Sequence, residues 1–369
     1  MPQRYYYFRY FPLFLNLAFM RTDLAIIVVL TTLLCAVGCV KEFPETVPQE
    51  EMEKVFEEVK TPFKRGLVIP GRDGLAVDSP SVFRKDGKWY MVYIIFDGRG
   101  YETWLAESEE LLEWKTLGRI MSYSDDTDWD VNQKAGYLAL VDPKWGGSYE
   151  LEKYDGKYWM SYLGGDASGY ESGVLSPGMA YTTGNPTEPH EWDRLDKPIL
   201  SPNDPDVSWW DNVTIYKNSV IRDPWKLTGH PFVMYYNALG NAERIGMAVS
   251  DDMVSWKRFG SDPVLEHGNM GITGDAHVQR MGKLWVMFYF GFNWDESRNY
   301  AWDSFACSYD LVHWTDWTGE PLIKPSEPFD NRYAHKPCMV KWKGTVYHFY
   351  CAVDKENNRG IALATSKEL

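Results

Sequence analysis

Cysteine is scarce in this chain, five in 369 residues. Cys35 and Cys39 fall in an N-terminal apolar run, which leaves Cys307, Cys338 and Cys351 for the rest. Three is an odd number, so no disulfide framework is expected. Their surroundings ("SFACSY", "KPCMVKW", "HFYCAV") are apolar and strand-like, and the three read as small core residues. Cations are also few, 38 Lys and Arg against 52 Asp and Glu, for a net charge of −14. A chain so acidic lacks the basic footprint that nucleic acid requires. Long helical patterns are missing too. The exception is "EEMEKVFEEVK" (50–60), where Met52, Val55, Phe56 and Val59 recur at helical spacing. That short helix is expected to pack against the outside of the main domain.

No apolar run is long enough to cross a membrane comfortably. "LAIIVVLTTLLCAVGC" (24–39) is short and ends in small residues and a Cys, the pattern of a targeting segment. Arg21 precedes it, so Met20 is a candidate start, with 1–19 an upstream extension. "AVGC" resembles a bacterial lipobox, with Ala36 where Leu is commoner. The resemblance implies that Cys39 is the lipidated first residue of the mature protein. It also implies a place in the bacterial cell envelope, at the outer membrane or its periplasmic face, with membrane contact only through the lipid. Residues 1–39 are then a lipoprotein signal segment, and 40–61 a tether and the short helix.

What the chain has in abundance is aromatic residues, 16% of the total, with 17 Trp and 24 Tyr. Such rings suit sheet packing and also stacking on sugars. The chain repeats as well. A Ser followed six residues later by Trp recurs as "SEELLEW" (108–114), "SDDMVSW" (250–256) and "SYDLVHW" (308–314), with a looser copy in "YTTGNPTEPHEW" (181–192). A fifth begins as "ATSKEL". A strand of small and apolar residues precedes each copy. Before that strand lies a hairpin with an aromatic second strand, as in "FRKDGKWYMVY", "EKYDGKYWMSY", "KLTGHPFVMYY", "QRMGKLWVMFY" and "VKWKGTVYHFY". Five units of four short strands, roughly fifty residues each, predict an all-β fold, a five-bladed β-propeller over 62–369. Nothing after "TSKEL" supplies an outer strand to the last blade, so "KRGLVIPG" (64–71) is expected to close it.

In a propeller the innermost strand of each blade starts at the axis. Those starts read as "VDSPSV" (Asp78), "GGSYEL" (Glu150), "IRDPWK" (Asp223), "TGDAHV" (Asp275, His277) and "AHKPCM" (His335). A single Asp at a strand start often caps a turn. Several converging on one axis form a polar pocket suited to chemistry. Glycoside cleavage needs one protonated group and one ionised carboxylate, and clustered carboxylates raise each other's pKa. Trp145, Trp209, Trp210 and Trp294 are candidate sugar platforms. Trp209 and Trp210 are adjacent and cannot both face inward, so one of the pair is expected to reach a loop or the pocket.

These motifs resemble the glycoside hydrolases grouped around families 43, 32, 62, 117 and 130. "VDSPSVFRKDGKWYMVY" is similar to the first-blade motif of family 43, which implies Asp78 as general base. "IRDPWKL" looks like the third-blade Asp-Pro motif, and its Arg-Asp-Pro triplet also occurs in family 32. That implies Asp223 tunes the acid and orients the sugar, with Arg222 beside it. "DAHVQRMGKLWVMFY" resembles the fourth-blade motif that carries the general acid, with Asp275 where Glu is usual and His277 where Pro is usual. Family 117 uses a His as acid in this region, so Asp275 and His277 compete for the role. In family 43 a His near the axis often helps hold a central calcium, which implies that role or sugar binding for His335. Calcium prefers oxygen ligands and no dedicated loop is present, so no metal or other cofactor is assigned. Glu150, Trp210, Arg222, His277 and His335 are the candidate sugar-binding residues, and Asp78, Asp223 and Asp275 the candidate catalytic ones. The expected activity is exo-acting hydrolysis of oligosaccharides or polysaccharides, with an arabinofuranoside weakly favoured by the resemblance. The alternatives are a glycoside phosphorylase, using Arg222, His277, His335 and Lys336 for phosphate, and a glycan-binding lipoprotein without the acid.

If Cys39 carries the lipid, Cys39→Ser should release the protein from membranes or leave it unprocessed. Membrane partitioning and intact mass of the mature chain check this.

Overall fold

The computed structural model describes residues 43–71, 74–269, 271–293 and 300–369. Cys39 and Trp294 lie outside the described residues. Helix α1 (Gln49–Val59) buries Met52, Val55 and Val59. Its Phe56 stacks on Trp317 at 5.0 Å between ring centroids. Strand β1 (Phe63–Pro70) follows.

Five antiparallel four-stranded units come next. The first is β2 (Ala76–Lys85), β3 (Lys88–Phe96), β4 (Tyr101–Ser108) and β5 (Lys115–Met121). The second is β6 (Gln133–Leu138), β7 (Tyr158–Gly165), β8 (Ser176–Thr182) and β9 (Asp193–Arg194). The third is β10 (Thr214–Arg222), β11 (Phe232–Leu239), β12 (Glu243–Ser250) and β13 (Trp256–Arg258). The fourth is β14 (Gly271–Met281), β15 (Leu284–Asn293), β16 (Ala301–Ser308) and β17 (Thr315–Asp316). The fifth is β18 (Tyr333–Trp342), β19 (Thr345–Val353) and β20 (Arg359–Thr365). Its fourth strand is β1, antiparallel to β20 from Phe63↔Thr365 to Pro70↔Gly360, so the blade is completed from the other end of the chain as the repeat count requires.

The Ser-to-Trp repeat is the turn between the third and fourth strands. In each close copy the Ser hydroxyl accepts the N–H three residues on: Leu111 at 3.0 Å, Met253 at 3.0 Å and Leu311 at 2.9 Å. Those apolar residues are left-handed, with φ of 74°, 65° and 72°, and fully buried. Strain at such positions persists only where the surroundings over-determine it. The Trp contributes to that: Trp256 and Trp314 donate Nε1–H to the carbonyls of Met253 and Leu311, both at 3.1 Å.

Two features place the site. First, strands one and three of an antiparallel blade run the same way, so both begin at the same end of the axis. One-residue parallel bridges mark this, Tyr101↔Gln133, Glu243↔Ile272 and Ala301↔Tyr333. Second, the innermost strands of blades one, four and five bulge at one level: Asp78/Ser81, Gly274/His277 and His335/Cys338. The second residue of each bulge is left-handed, Ser79 at 49°, Asp275 at 57° and Lys336 at 65°. Bulges re-aim side chains, here toward the axis.

Blades two and three depart from the expected register. In blade two, residues 139–157 are inserted between β6 and β7, and "YDGK" closes only a small turn at Tyr154–Lys157. The insertion crosses the far end of the axis. It bonds to the backbone of Arg84, Val220 and Arg280, and the Tyr149 hydroxyl accepts the Lys341 N–H at 2.8 Å. In blade three, "DPWKLTGH" is the far turn joining β10 to β11, after the innermost strand rather than at its start.

Ile69 on β1 is buried in the same core as Val77, Trp89 and Ile361. Ile69→Ala should therefore cost about 2–5 kcal/mol. A lowered urea midpoint with an unchanged m-value checks this.

Candidate active site

A cavity of about 250 Å³ opens where the first and third strands begin. Innermost strands supply Tyr216, Lys217, Asp275, His335 and Lys336. Starts of third strands supply Tyr101, Glu243 and Arg359, and the β7–β8 connection supplies Tyr170 and Glu171. The sequence reading missed the third-strand residues. Its only available signal was that "ERIGMAVS", "YETWLAES" and "RGIALATS" begin at one repeat position, which strand direction then carries to the mouth.

Asp78 sits immediately behind this wall, 1% exposed. Its Oδ2 meets Lys336 Nζ at 3.1 Å and Arg359 Nη1 at 2.9 Å, and its Oδ1 accepts the Ser79 N–H at 2.7 Å. Burial opposes the Asp78 charge, but the two cations outweigh it and hold the carboxyl far below the ordinary range. Burial likewise opposes the Lys336 charge, but Asp78 together with Tyr170, Asp275 and Glu171 outweighs it, pushing that ammonium well above its usual value. Arg359 also donates to the Tyr170 hydroxyl at 2.8 Å.

The two glutamates differ from Asp78. Burial first, then Glu171 nearby, raises Glu243 to about 8, while its Oε2 accepts the Asn237 amide at 3.0 Å. Glu171 is also raised by burial, with Asp78 adding to the rise and Lys336 opposing it. Its Oε1 accepts the Tyr101 hydroxyl at 3.0 Å. Glu243 therefore holds its proton at neutral pH, with the Glu171 carboxyl as one cause of the rise.

The structure brings Asp275 and His335 to the cavity and Asp78 behind it. It separates the rest. His277 lies deeper on the axis, in a second cavity, its Nδ1 accepting the Met339 N–H at 3.0 Å. Burial, then Lys217, lowers His277 to about 3, so it is neutral and carries no imidazolium proton. His335 is also lowered to about 3 by burial, against Asp78, and its Nδ1–H donates to the Cys351 carbonyl at 3.1 Å. Asp223 and Arg222 are at the far face, because they end the innermost strand of blade three instead of starting it. There the Asp223 carboxylate caps its own turn, accepting N–H groups of Trp225 at 3.1 Å and Thr228 at 3.3 Å. Glu150 is exposed on the insertion, bridged to Arg84, since the innermost strand of its blade is β6. Trp210 is 3% exposed and stacks on Tyr236, and a Cβ on Gly246 would strike its indole. It is core, not a sugar platform. Trp209 is exposed under the Arg244 guanidinium, and Trp145 donates to Glu58 of α1 at 2.8 Å. Among the described residues, tyrosines rather than tryptophans line the cavity. Among the described residues no group of three or more His, Cys, Asp or Glu side chains is arranged to hold a metal ion.

No family model matches the chain. A thermostable family-43 glycoside hydrolase matches at 14% identity and TM-score 0.58, over 84% of this chain and 96% of its own, a likeness of fold. BT0996, solved as a complex with RGII, matches at 50% identity and TM-score 0.85, over 88% of this chain and 97% of its own. A solved glycoside hydrolase matches with the same values. With half of its residues identical along nearly the whole of that enzyme, and two glutamates on one axial pocket, the chain belongs to the glycoside hydrolases.

Proposed function

We propose that the protein removes single terminal sugars from an oligosaccharide, with Glu243 as proton donor and Glu171 as the ionised partner, either base or nucleophile. The observation that carries this is the pair itself: two glutamates on one small cavity, the first raised to about 8 and the second raised as well. Cleavage needs a carboxyl that keeps its proton at neutral pH and a carboxylate that does not. Asp275 is a less fitting donor, because it is paired with the Lys217 ammonium at 3.4 Å. A cavity near 250 Å³ falls just below the usual range of ligand pockets, which starts at about 300 Å³, and supports a site for one sugar ring. Oligosaccharides of RGII, which BT0996 binds, are the first to offer, followed by arabinofuranosides. The mature chain is proposed to act in the cell envelope, held by lipid at Cys39. Phosphorolysis is less favoured: Arg222 is remote from the cavity, the two histidines are neutral, and Lys336 is paired with Asp78.

The test is turnover of an oligosaccharide panel, with and without phosphate, followed by product analysis. Release of single sugars independent of phosphate is expected. Absence of any turnover would sink the reading.

Glu243→Gln should lower hydrolysis of poor leaving groups by about 10²–10⁴ and spare activated aryl glycosides. Glu171→Gln should impair both. A protonated donor is lost as pH climbs past its pKa, so the unaltered enzyme should show a basic limb near pH 8 that Glu243→Gln removes. The stability effect has a definite sign. Folded Glu243 binds a proton at pH values where the unfolded side chain, near 4.5, has released it. Its contribution to stability therefore falls as pH rises from about 4.5 through 8, and melting curves of Glu243→Gln should lack that decline.

Asp78→Asn should reduce both activity and stability, the latter by about 3–5 kcal/mol, because Lys336 and Arg359 lose their counter-charge. Native Asp78 is depressed, so its contribution is present above the unfolded carboxylate pKa of 3.8 and fades as pH falls below it. Chemical denaturation at neutral and acidic pH checks both statements.

A further inference from the structure

One ionic pair on the cavity wall is left open. Glu171 and Glu243 each accept a hydrogen bond from the protein, and Asp78 accepts several. Asp275 differs. Among the described residues neither of its carboxylate oxygens accepts a hydrogen bond, and Oδ2 is buried with no donor. Its ionic neighbour is Lys217, with Nζ 3.4 Å from Oδ2. The Lys217 ammonium stands 5.1 Å from the centroid of the Tyr137 ring and makes no hydrogen bond among the described residues. Asp275 is 3% and Lys217 7% exposed, and both line the cavity. Buried polar groups are rarely left so, because a hydrogen bond left unmade inside a protein is costly.

The backbone goes out of its way to put them there. Asp275 sits at φ 57° in the bulge of blade four. Lys217 lies within the Ile215/Asn218 bulge of the neighbouring blade three. Two bulges in adjacent blades thus deliver an acceptor and a donor side by side, the geometry of a site that reads a pair of neighbouring groups.

We propose that Lys217 and Asp275 recognise two adjacent free hydroxyls of a neutral terminal sugar. One hydroxyl donates to the Asp275 carboxylate, and its neighbour accepts from the Lys217 ammonium. This rests on the reading of the cavity as the site of the terminal sugar. Charge argues for a neutral ring. Three cations, Lys217, Lys336 and Arg359, face four carboxyl groups, Asp78, Asp275, Glu171 and Glu243, and each cation is already within ion-pair reach of Asp78 or Asp275. A uronate would add an uncompensated negative charge beside Asp275 and Glu171.

The experiment titrates the unaltered protein, by calorimetry or ligand-observed NMR, with methyl furanosides and pyranosides of neutral sugars. It adds the corresponding uronates and, for the best binder, each monodeoxy analogue. A neutral glycoside should bind, with its uronate at least tenfold weaker. Removing either of one adjacent pair of hydroxyls should weaken binding by about 10²-fold, and other deletions far less. Lys217→Met and Asp275→Asn, checked by thermal melting, should flatten that discrimination, and Lys217→Arg should retain part of it. Tighter binding of a uronate, equal affinity of all deoxy analogues, or no binding of any neutral glycoside would overturn the proposal. The series on unaltered protein decides the matter even if the variants do not fold. Full turnover by Glu243→Gln would remove the proton-donor assignment while leaving the hydroxyl discrimination standing, so the two failures are separable.

Discussion

The Asp78 carboxylate lies at the seam of the ring, and the site depends on it. It stands on the first strand of blade one and binds Lys336 and Arg359, from the first and third strands of blade five. Blade five is also the blade that β1 completes. Backbone pairing therefore closes the outer rim while a buried charge cluster closes the inner one. Without the carboxylate, two cations would stand buried at the cavity wall with no counter-charge. With it, they remain charged beside the glutamates.

That arrangement sets the division of labour among the acidic groups. Asp78 is surrounded by cations and stays ionised. Glu243 stands among like charges in a poorly solvated place and keeps its proton. The same kind of group thus acquires opposite protonation states within one small volume, decided by neighbours rather than by the chemistry of the side chain. Bulges at the mouth of four blades supply the local geometry. They interrupt the ladder where side chains must turn toward the axis, and the intact antiparallel pairing on both sides holds the strained residues in place.

Much of the scaffold was legible in the sequence, because it rests on local rules. The Ser-to-Trp repeat is a self-contained turn whose hydrogen bonds join residues three apart, so its copies could be counted. Set side by side without a gap, "AVDSPSVFRKDGKWYMVY" and "YAHKPCMVKWKGTVYHFY" put Asp78 level with His335, as the structure does, since both blades have tight hairpins and the same bulge. Local counting fails where hairpin length changes. In blade two the stretch before "DGK" offers Glu150, which lies inside an insertion, and in blade three the stretch before the turn offers Asp223, which lies beyond the strand. Trp210 escapes a local reading for a related cause: its burial depends on Gly246, thirty-six residues away in sequence and adjacent only in the fold.

By itself, then, the sequence determined the number of blades, the closure by residues 64–71, the short acidic helix and the polar character of the axis. Each follows from periodicity, turn chemistry or charge within a few residues of chain. Only the tertiary structure decided which charged groups meet. Glu171 arrives from a loop, Glu243 and Arg359 from third strands, and Lys217 from a strand whose register the repeat did not reveal. Most of their partners are tens to hundreds of residues distant, and the protonation of the glutamates follows from burial and from those neighbours. Both are properties of the packed ring, in which strands one and three run in the same direction and so end their separate paths at one pocket.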